Sequence, residues 1–194
     1  MKLEDNEEKN TKKDISLSEK LLKTRSVLLS GEINRESADS LITNLLILEN
    51  ESSVEPVKIF INSPGGDVDS GYAIYDMIRF VSCPVFLIGA GLVASAASLI
   101  LLSVPKERRV GLANSSYLIH QPLSKMRGTA TEIEIHAQQL EKIKAKINKD
   151  ISDATGKNLK QVEKDTDRDF WMDASQALEY GLISKIVSSI KEVL

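Results

Sequence analysis

At 194 residues the chain is sized for one domain, and 42% apolar residues are ample for a core. The 25 basic and 28 acidic residues nearly balance at a net charge of −3, and aromatics make up 5%, so neither a basic patch nor an RNA-type aromatic motif speaks for nucleic acid. The lone cysteine, Cys83, excludes an intramolecular disulfide and points to a reducing, cytoplasmic setting; with two distant histidines it makes no zinc set, so no metal is expected.

The opening MKLEDNEEKNTKKD has charge but no apolar stretch of the kind a secretion signal needs. Residues 1–14 read as a polar, disordered tail, and 15–194 as one domain. Ser16–Lys23 has the pattern of a short amphipathic helix, and Arg25–Leu29 that of a strand turned by Ser30-Gly31. Asn34 is placed to cap a helix carrying Ala38, Leu41, Ile42, Leu45, Leu46 and Leu48 at helical spacing. Val57–Ile61 predicts a strand ended by NSPGG, and Asp67 caps a helix that buries Val68, Ala73, Ile74, Met77 and Ile78.

Val85–Val104 then runs twenty residues without a charge: a strand-like VFLI, a run of glycine, alanine and serine, and an apolar helical tail. Its length meets the requirement of about 20 apolar residues for a membrane span. Against that, Gly89 and Gly91 divide it into a strand-length and a helix-length piece, and strands alternate with helices on both sides, which favours a buried core. Short strand-like pieces follow at Val110 and Tyr117–Ile119, leading into His120-Gln121-Pro122. Thr131–Ala154 predicts one long helix with Ile133, Ala137, Leu140, Ile143, Ile147 and Ile151 along one side. Leu159–Asp165 predicts a shorter helix before the polar DTDRDFW. Asp173 and Gln176 then form a capping box for a helix stopped at Gly181, and Leu182–Val187 closes as a strand. The alternation defines an α/β fold.

Three stretches carry chemistry. In strand–NSPGGDVDSG–helix, adjacent glycines let backbone N–H groups approach a ligand at a helix N-terminus; a tight turn and an oxyanion-holding amide are the two readings, and no nucleotide motif is present. His136 lies among charges on the long helix as a surface or packing residue, whereas His120 ends a strand, where α/β sites assemble; a structural histidine there is the competing reading. A serine hydroxyl becomes a nucleophile only when a base takes its proton and an acid fixes that base. Ser95 and Ser98 lie one helical turn apart and spacing does not choose between them; G-x-S-x-G is absent. With Asp173 explained as a cap, Asp165, Asp167 and Asp169 remain as acids.

From about Glu19 to Val187 the chain resembles the proteolytic subunit family of the Clp protease, through INSPGGDVDSGYAIYD (61–76), GLVASAAS (91–98), IHQP (119–122), GTATEIEI (128–135), DTDRDFW (165–171) and ALEYGLI (177–183). The resemblance implies a crotonase-like α/β spiral of repeated β-β-α units, with the 131–154 helix as a protruding handle between two stacked seven-membered rings. It implies Ser95 as nucleophile, His120 as base, Asp169 as acid, and the Gly65 and Ala96 amides as oxyanion hole. It further implies a substrate-binding strand at Leu123, Ser124 and Lys125, and ring–ring contacts at Asp167, Arg168 and Thr129. No cofactor is expected in this subunit; ATP is used by a partner AAA+ unfoldase that feeds unfolded protein into the cage.

Departures from the family pattern are Ser124-Lys125 where two glycines are usual, Ala96-Ala97 for the usual Met-Gly, Thr129 for a common glutamine, and ISLSEKLLK in the region of the usual N-terminal helix. They raise a second reading, a weakly active structural or regulatory subunit in a mixed cage. A crotonase-type acyl-CoA enzyme is a third, disfavoured by the presence of serine, histidine and aspartate together.

Overall fold

In the computed structural model, residues 16–193 are described; the expectation for residues 1–14 lies outside them. Seven strands, β1 (Ser26–Ser30), β2 (Val57–Ser63), β3 (Val85–Ala94), β4 (Arg109–Leu112), β5 (Ser116–Ile119), β6 (Phe170–Asp173) and β7 (Lys185–Val187), form one sheet. The helices are α1 (Leu17–Leu22), α2 (Arg35–Glu51), α3 (Val68–Phe80), α4 (Ala96–Leu101), α5 (Ala130–Thr155), α6 (Leu159–Asp165) and α7 (Ala174–Tyr180). Strands β1, β2, β3, β4 and β7 lie side by side in parallel, as helical crossovers require, and β5 pairs antiparallel with β6.

The predicted caps hold. Asn34, Asp67 and Asp173 accept from Ser37, Ser70 and Gln176 amides, and Gly181 ends α7 in the left-handed conformation; Gly156, not predicted, ends α5 in the same way. Leu41, Leu45 and Leu48 of α2 and Ile74 and Ile78 of α3 are buried against Val57, Ile59 and Ile61 of β2. Ala73 is instead exposed, because α3 turns Gly71, Ile74 and Ile78 toward the sheet.

The uncharged stretch divides later than its glycines indicate. β3 continues through Gly89 and Gly91 to Ala94, and α4 is only six residues long. The strand changes neighbours there: Leu87–Gly89 pairs with β4, and Leu92–Ala94 with β5. Both glycines make room. A Cβ on Gly89 would stand 2.5 Å from the Tyr117 hydroxyl, and one on Gly91 (φ +91°) 2.7 Å from Asn62 Oδ1, which accepts the Leu92 N–H at the register shift. Among the described residues, no helix is long and apolar enough to cross a membrane.

Two further expectations change. DTDRDFW contains the start of a strand, β6, held by pairing with β5 rather than by an apolar pattern of its own. The segment carrying Leu123, Ser124 and Lys125 is a loop, not a strand, and Leu123 is 81% exposed. α5 stands out as a handle: Ile147 and Ile151 are buried near its C-terminal end, but Ile133 and Ile135 are exposed.

Candidate active site

β3 delivers Ser95 to the first turn of α4 in a strained conformation, φ 56° and ψ −123°, of a kind that stores about 1–3 kcal/mol and persists only where surroundings over-determine it. The surroundings here are tight. The Ser95 N–H donates to the Leu118 carbonyl at 2.9 Å, and its own carbonyl accepts from the Ser98 and Leu99 amides. The small flanks that G-x-S-x-G supplies within its own turn come partly from another element. A Cβ on Gly65, in the β2–α3 turn, would lie 2.6 Å from the Ser95 Cβ, and one on Gly71 would lie 3.3 Å from the Ala96 Cβ. The turn is thus a nucleophile elbow in geometry without the motif.

Ser95 and Ser98 separate cleanly. Ser98 is buried with its hydroxyl against two carbonyls, whereas the Ser95 Oγ makes no cap bond and lies 2.8 Å from His120 Nε2. His120 leaves the end of β5, and its Nδ1 lies 3.0 Å from Asp169 Oδ1. An ionised carboxylate only accepts, so Nδ1 carries the proton, and Nε2 offers its lone pair to the Ser95 hydroxyl. Asp165 accepts instead from Tyr180 and Gln161, and the Asp167 backbone carbonyl from Gln121, which leaves Asp169 as the acid that reaches the imidazole. The pair is unevenly shielded: the His120 side chain is 14% exposed and that of Asp169 62%.

The oxyanion donors divide. Ala96 opens α4, where the first amides have no intrahelical acceptor, as expected of a donor aimed at substrate. The Gly65 N–H, however, donates to Ser63 Oγ at 3.1 Å. Ile33 bridges to the amide of Asp67 and the carbonyl of Gly65, so the intervening Gly66 N–H faces away from that bridge, with no acceptor among the described residues. Gly66, not singled out in the sequence, is thus the glycine of this turn whose amide is without an acceptor among the described residues. A Cβ there would lie 2.1 Å from the Ile33 carbonyl oxygen, and that is a contact no pattern within NSPGG displays.

Beside Ser95, Ala96 and His120, the apolar residues Val68, Leu99, Ile119, Pro122, Ile147 and Ile151, together with Ser98, wall a cavity of about 20 Å³, room for roughly one water-sized group. Asp167, Arg168 and Thr129 are exposed and do not line it. Arg168 donates to the Asp167 carbonyl, and Thr129 caps α5 in a capping box with Glu132. Cys83 is buried, and burial pushes its thiol up to about 11, reinforced by Glu49, as suits a packing residue. Among the described residues, no cluster of histidine, cysteine and carboxylates is placed to hold a metal.

A serine in a strained turn, in line with a histidine and a carboxylate, is a geometry in which the imidazole can take the hydroxyl proton and the carboxylate can hold the imidazole in place. The Clp protease family model matches residues 7–190. The ATP-dependent Clp protease proteolytic subunit 2 of Treponema denticola is 56% identical, with 98% of this chain and 96% of that protein covered. Proteolytic subunit 3 of Rhizobium etli is 41% identical over 98% of this chain and all of its own length. Among solved structures, a point mutant of ClpP1 from Listeria monocytogenes superposes with a TM-score of 0.85 at 42% identity, covering 92% of this chain and 100% of that one. The chain belongs to the Clp protease family, and its fold is the ClpP-type α/β fold.

Proposed function

We propose that the protein is a serine endopeptidase subunit that hydrolyses unfolded polypeptide inside a cage of stacked rings, with Ser95, His120 and Asp169 as its catalytic residues. The observation that carries this reading is the unbroken chain from Ser95 Oγ to His120 Nε2 and from His120 Nδ1 to Asp169 Oδ1. Ser95 Oγ attacks the peptide carbonyl carbon as His120 Nε2 takes its proton. The oxyanion settles against the Ala96 amide and, in place of Gly65, the Gly66 amide. As the C–N bond breaks, His120 returns the proton to the leaving nitrogen. Water, deprotonated by His120, then attacks the acyl carbon, and as the ester C–O bond breaks His120 returns that proton to Ser95 Oγ, while Asp169 stabilises each imidazolium.

The small uncharged cavity beside Ser95 has room for an apolar group of about methyl size next to the cleaved bond. The backbone of Leu123, Ser124 and Lys125, which has no partner among the described residues, is free to pair with an extended peptide as an added strand. That pairing would turn the loop into the expected strand only when substrate is bound. The handle, with exposed Ile133 and Ile135, together with Asp167, Arg168 and Thr129, provides the ring–ring contact. A Clp-type AAA+ unfoldase supplies substrate and uses the ATP; this subunit needs no cofactor, and it works in the cytoplasm. Relatives named as subunits 2 and 3 favour a second reading, in which a paralogue shares the rings and raises a low intrinsic activity.

The test is labelling by a fluorophosphonate, run on the protein alone and mixed with a paralogous subunit, with native mass measurement of each species. Labelling that disappears in Ser95→Ala supports the nucleophile. Labelling only after mixing supports the second reading. No labelling in either state, or full peptidase activity from a monomer, overturns the caged serine protease.

A further inference from the structure

The nucleophile and the base follow two directly paired strands, β3 and β5, and one buried hydroxyl on α4 bonds to the ends of both, beyond their backbone ladder. Ser98, 2% exposed, is the third residue of α4. Its Oγ lies 2.9 Å from the Val93 carbonyl and 2.8 Å from the Leu118 carbonyl. Val93 is two residues before Ser95 on β3, and Leu118 is two residues before His120 on β5. The Leu118 carbonyl also accepts the Ser95 N–H at 2.9 Å, so the nucleophile's own amide and the Ser98 hydroxyl converge on one oxygen of the strand that carries the base.

A serine at a helix N-cap ordinarily turns its hydroxyl onto the amides of the first turn. Ser95 makes no such bond, since its Oγ is directed at His120. The elbow therefore lacks the brace its own side chain would give, at the residue whose backbone is strained. We infer that Ser98 is a positioning residue for peptide hydrolysis: its hydroxyl ties the strand before the nucleophile to the strand before the base, and so fixes the distance from Ser95 Oγ to His120 Nε2. This rests on Ser95 being the nucleophile. The hydroxyl has a single proton, shared between two carbonyls of which only Leu118 belongs to the base-bearing strand. Removing it leaves the Ser95 N–H as the one remaining bond from the elbow to the Leu118 carbonyl.

The experiment uses the assembled protein and compares wild type, Ser98→Ala and Ser98→Thr. It measures kcat and KM on a peptide, the second-order rate of fluorophosphonate labelling, and native mass. Displacements of about 1 Å at a reacting pair are worth up to roughly a hundredfold in rate, so kcat and the labelling rate of Ser98→Ala should fall together by about 10- to 100-fold with KM within about twofold. Ser98→Thr, which keeps the hydroxyl, should recover most of the loss. Wild-type kcat and labelling in Ser98→Ala would overturn the inference. So would equal losses in the alanine and threonine variants, or a loss that follows the disappearance of the assembled species. A wild type that carries no label while Ser95→Ala is equally silent would remove the nucleophile itself, and this inference with it. A labelled wild type beside an unaffected Ser98→Ala would sink this inference alone.

Discussion

The two sides of the candidate triad are built to different standards. Ser95 stands on a buried strand and the first turn of a buried helix, wedged by Gly65 and Gly71 and tied to Leu118. The acid side hangs on shorter supports. Asp169 precedes a four-residue edge strand, its carboxylate is mostly in water, and the loop after His120 meets the rest of the chain mainly through Gln121. A strained nucleophile needs a surrounding that permits no alternative, and one chain supplies it. Asp169 and the loop of Leu123, Ser124 and Lys125 face outward, so in the proposed ring assembly they are the parts that neighbouring subunits and bound peptide would order, while the elbow is already held within one chain.

The comparison is sharpened first at Asp169. A buried triad acid replaced by its amide loses roughly 10⁴ in kcat. Because solvent already screens Asp169, Asp169→Asn should lose about 10³, measured as kcat on a short peptide in the assembled protein. A loss of the full buried size would show that assembly shields the acid as well as the elbow is shielded. A loss under about tenfold would remove Asp169 from the triad.

Gly65→Ala tests the opposite side. Its Cβ would stand 2.6 Å from the Ala94 carbonyl oxygen and from the Ser95 Cβ, at φ +88°. Displacing the nucleophile should lower kcat by about a hundredfold with the rings still assembled. Wild-type turnover in this variant would mean that the elbow has slack the contacts do not show.

Asn148→Ala probes the link between handle and acid loop. The Thr166 hydroxyl lies 2.7 Å from Asn148 Oδ1 and 2.9 Å from the Val162 carbonyl, and the Thr166 carbonyl accepts the Gln121 N–H. Losing the Asn148 side chain should destabilise the protein by about 1–2 kcal/mol, read from denaturant unfolding, because Thr166 keeps Val162. An unchanged midpoint would exclude Asn148 as a structural tie.

The smallest effect is expected at Cys83. With its thiol held up to about 11, the native protein should stay protonated there through the range near 9 where an exposed thiol ionises. Alkylation by iodoacetamide at about pH 9.5 should then be slow until the protein is unfolded. Rapid labelling of the native protein would show that the β3 end of the core opens readily.

Legibility followed locality. Caps at Asn34, Asp67 and Asp173 and the stop at Gly181 depend on a few neighbouring residues, so their chemistry is visible in the string. Strand β6 was not visible, because its place comes from pairing with β5 and not from alternation of its own. The strand end at Gly91 was misplaced for the same reason: that glycine accommodates Asn62 from β2 rather than ending β3.

By itself, then, the sequence determined an α/β chain with a small-residue mount for a hydroxyl, a histidine at a strand end and an acidic loop, and its resemblance to a family proposed which of them act together. Choosing Ser95 over Ser98 and Asp169 over Asp165 on physical grounds took the tertiary structure, since a hydroxyl's role depends on what lies within about 3 Å of it. The same holds for the Gly65 and Gly66 amides. Adjacent in the chain and identical in type, they differ in what the fold sets beside their amides: one meets the Ser63 hydroxyl and the other does not.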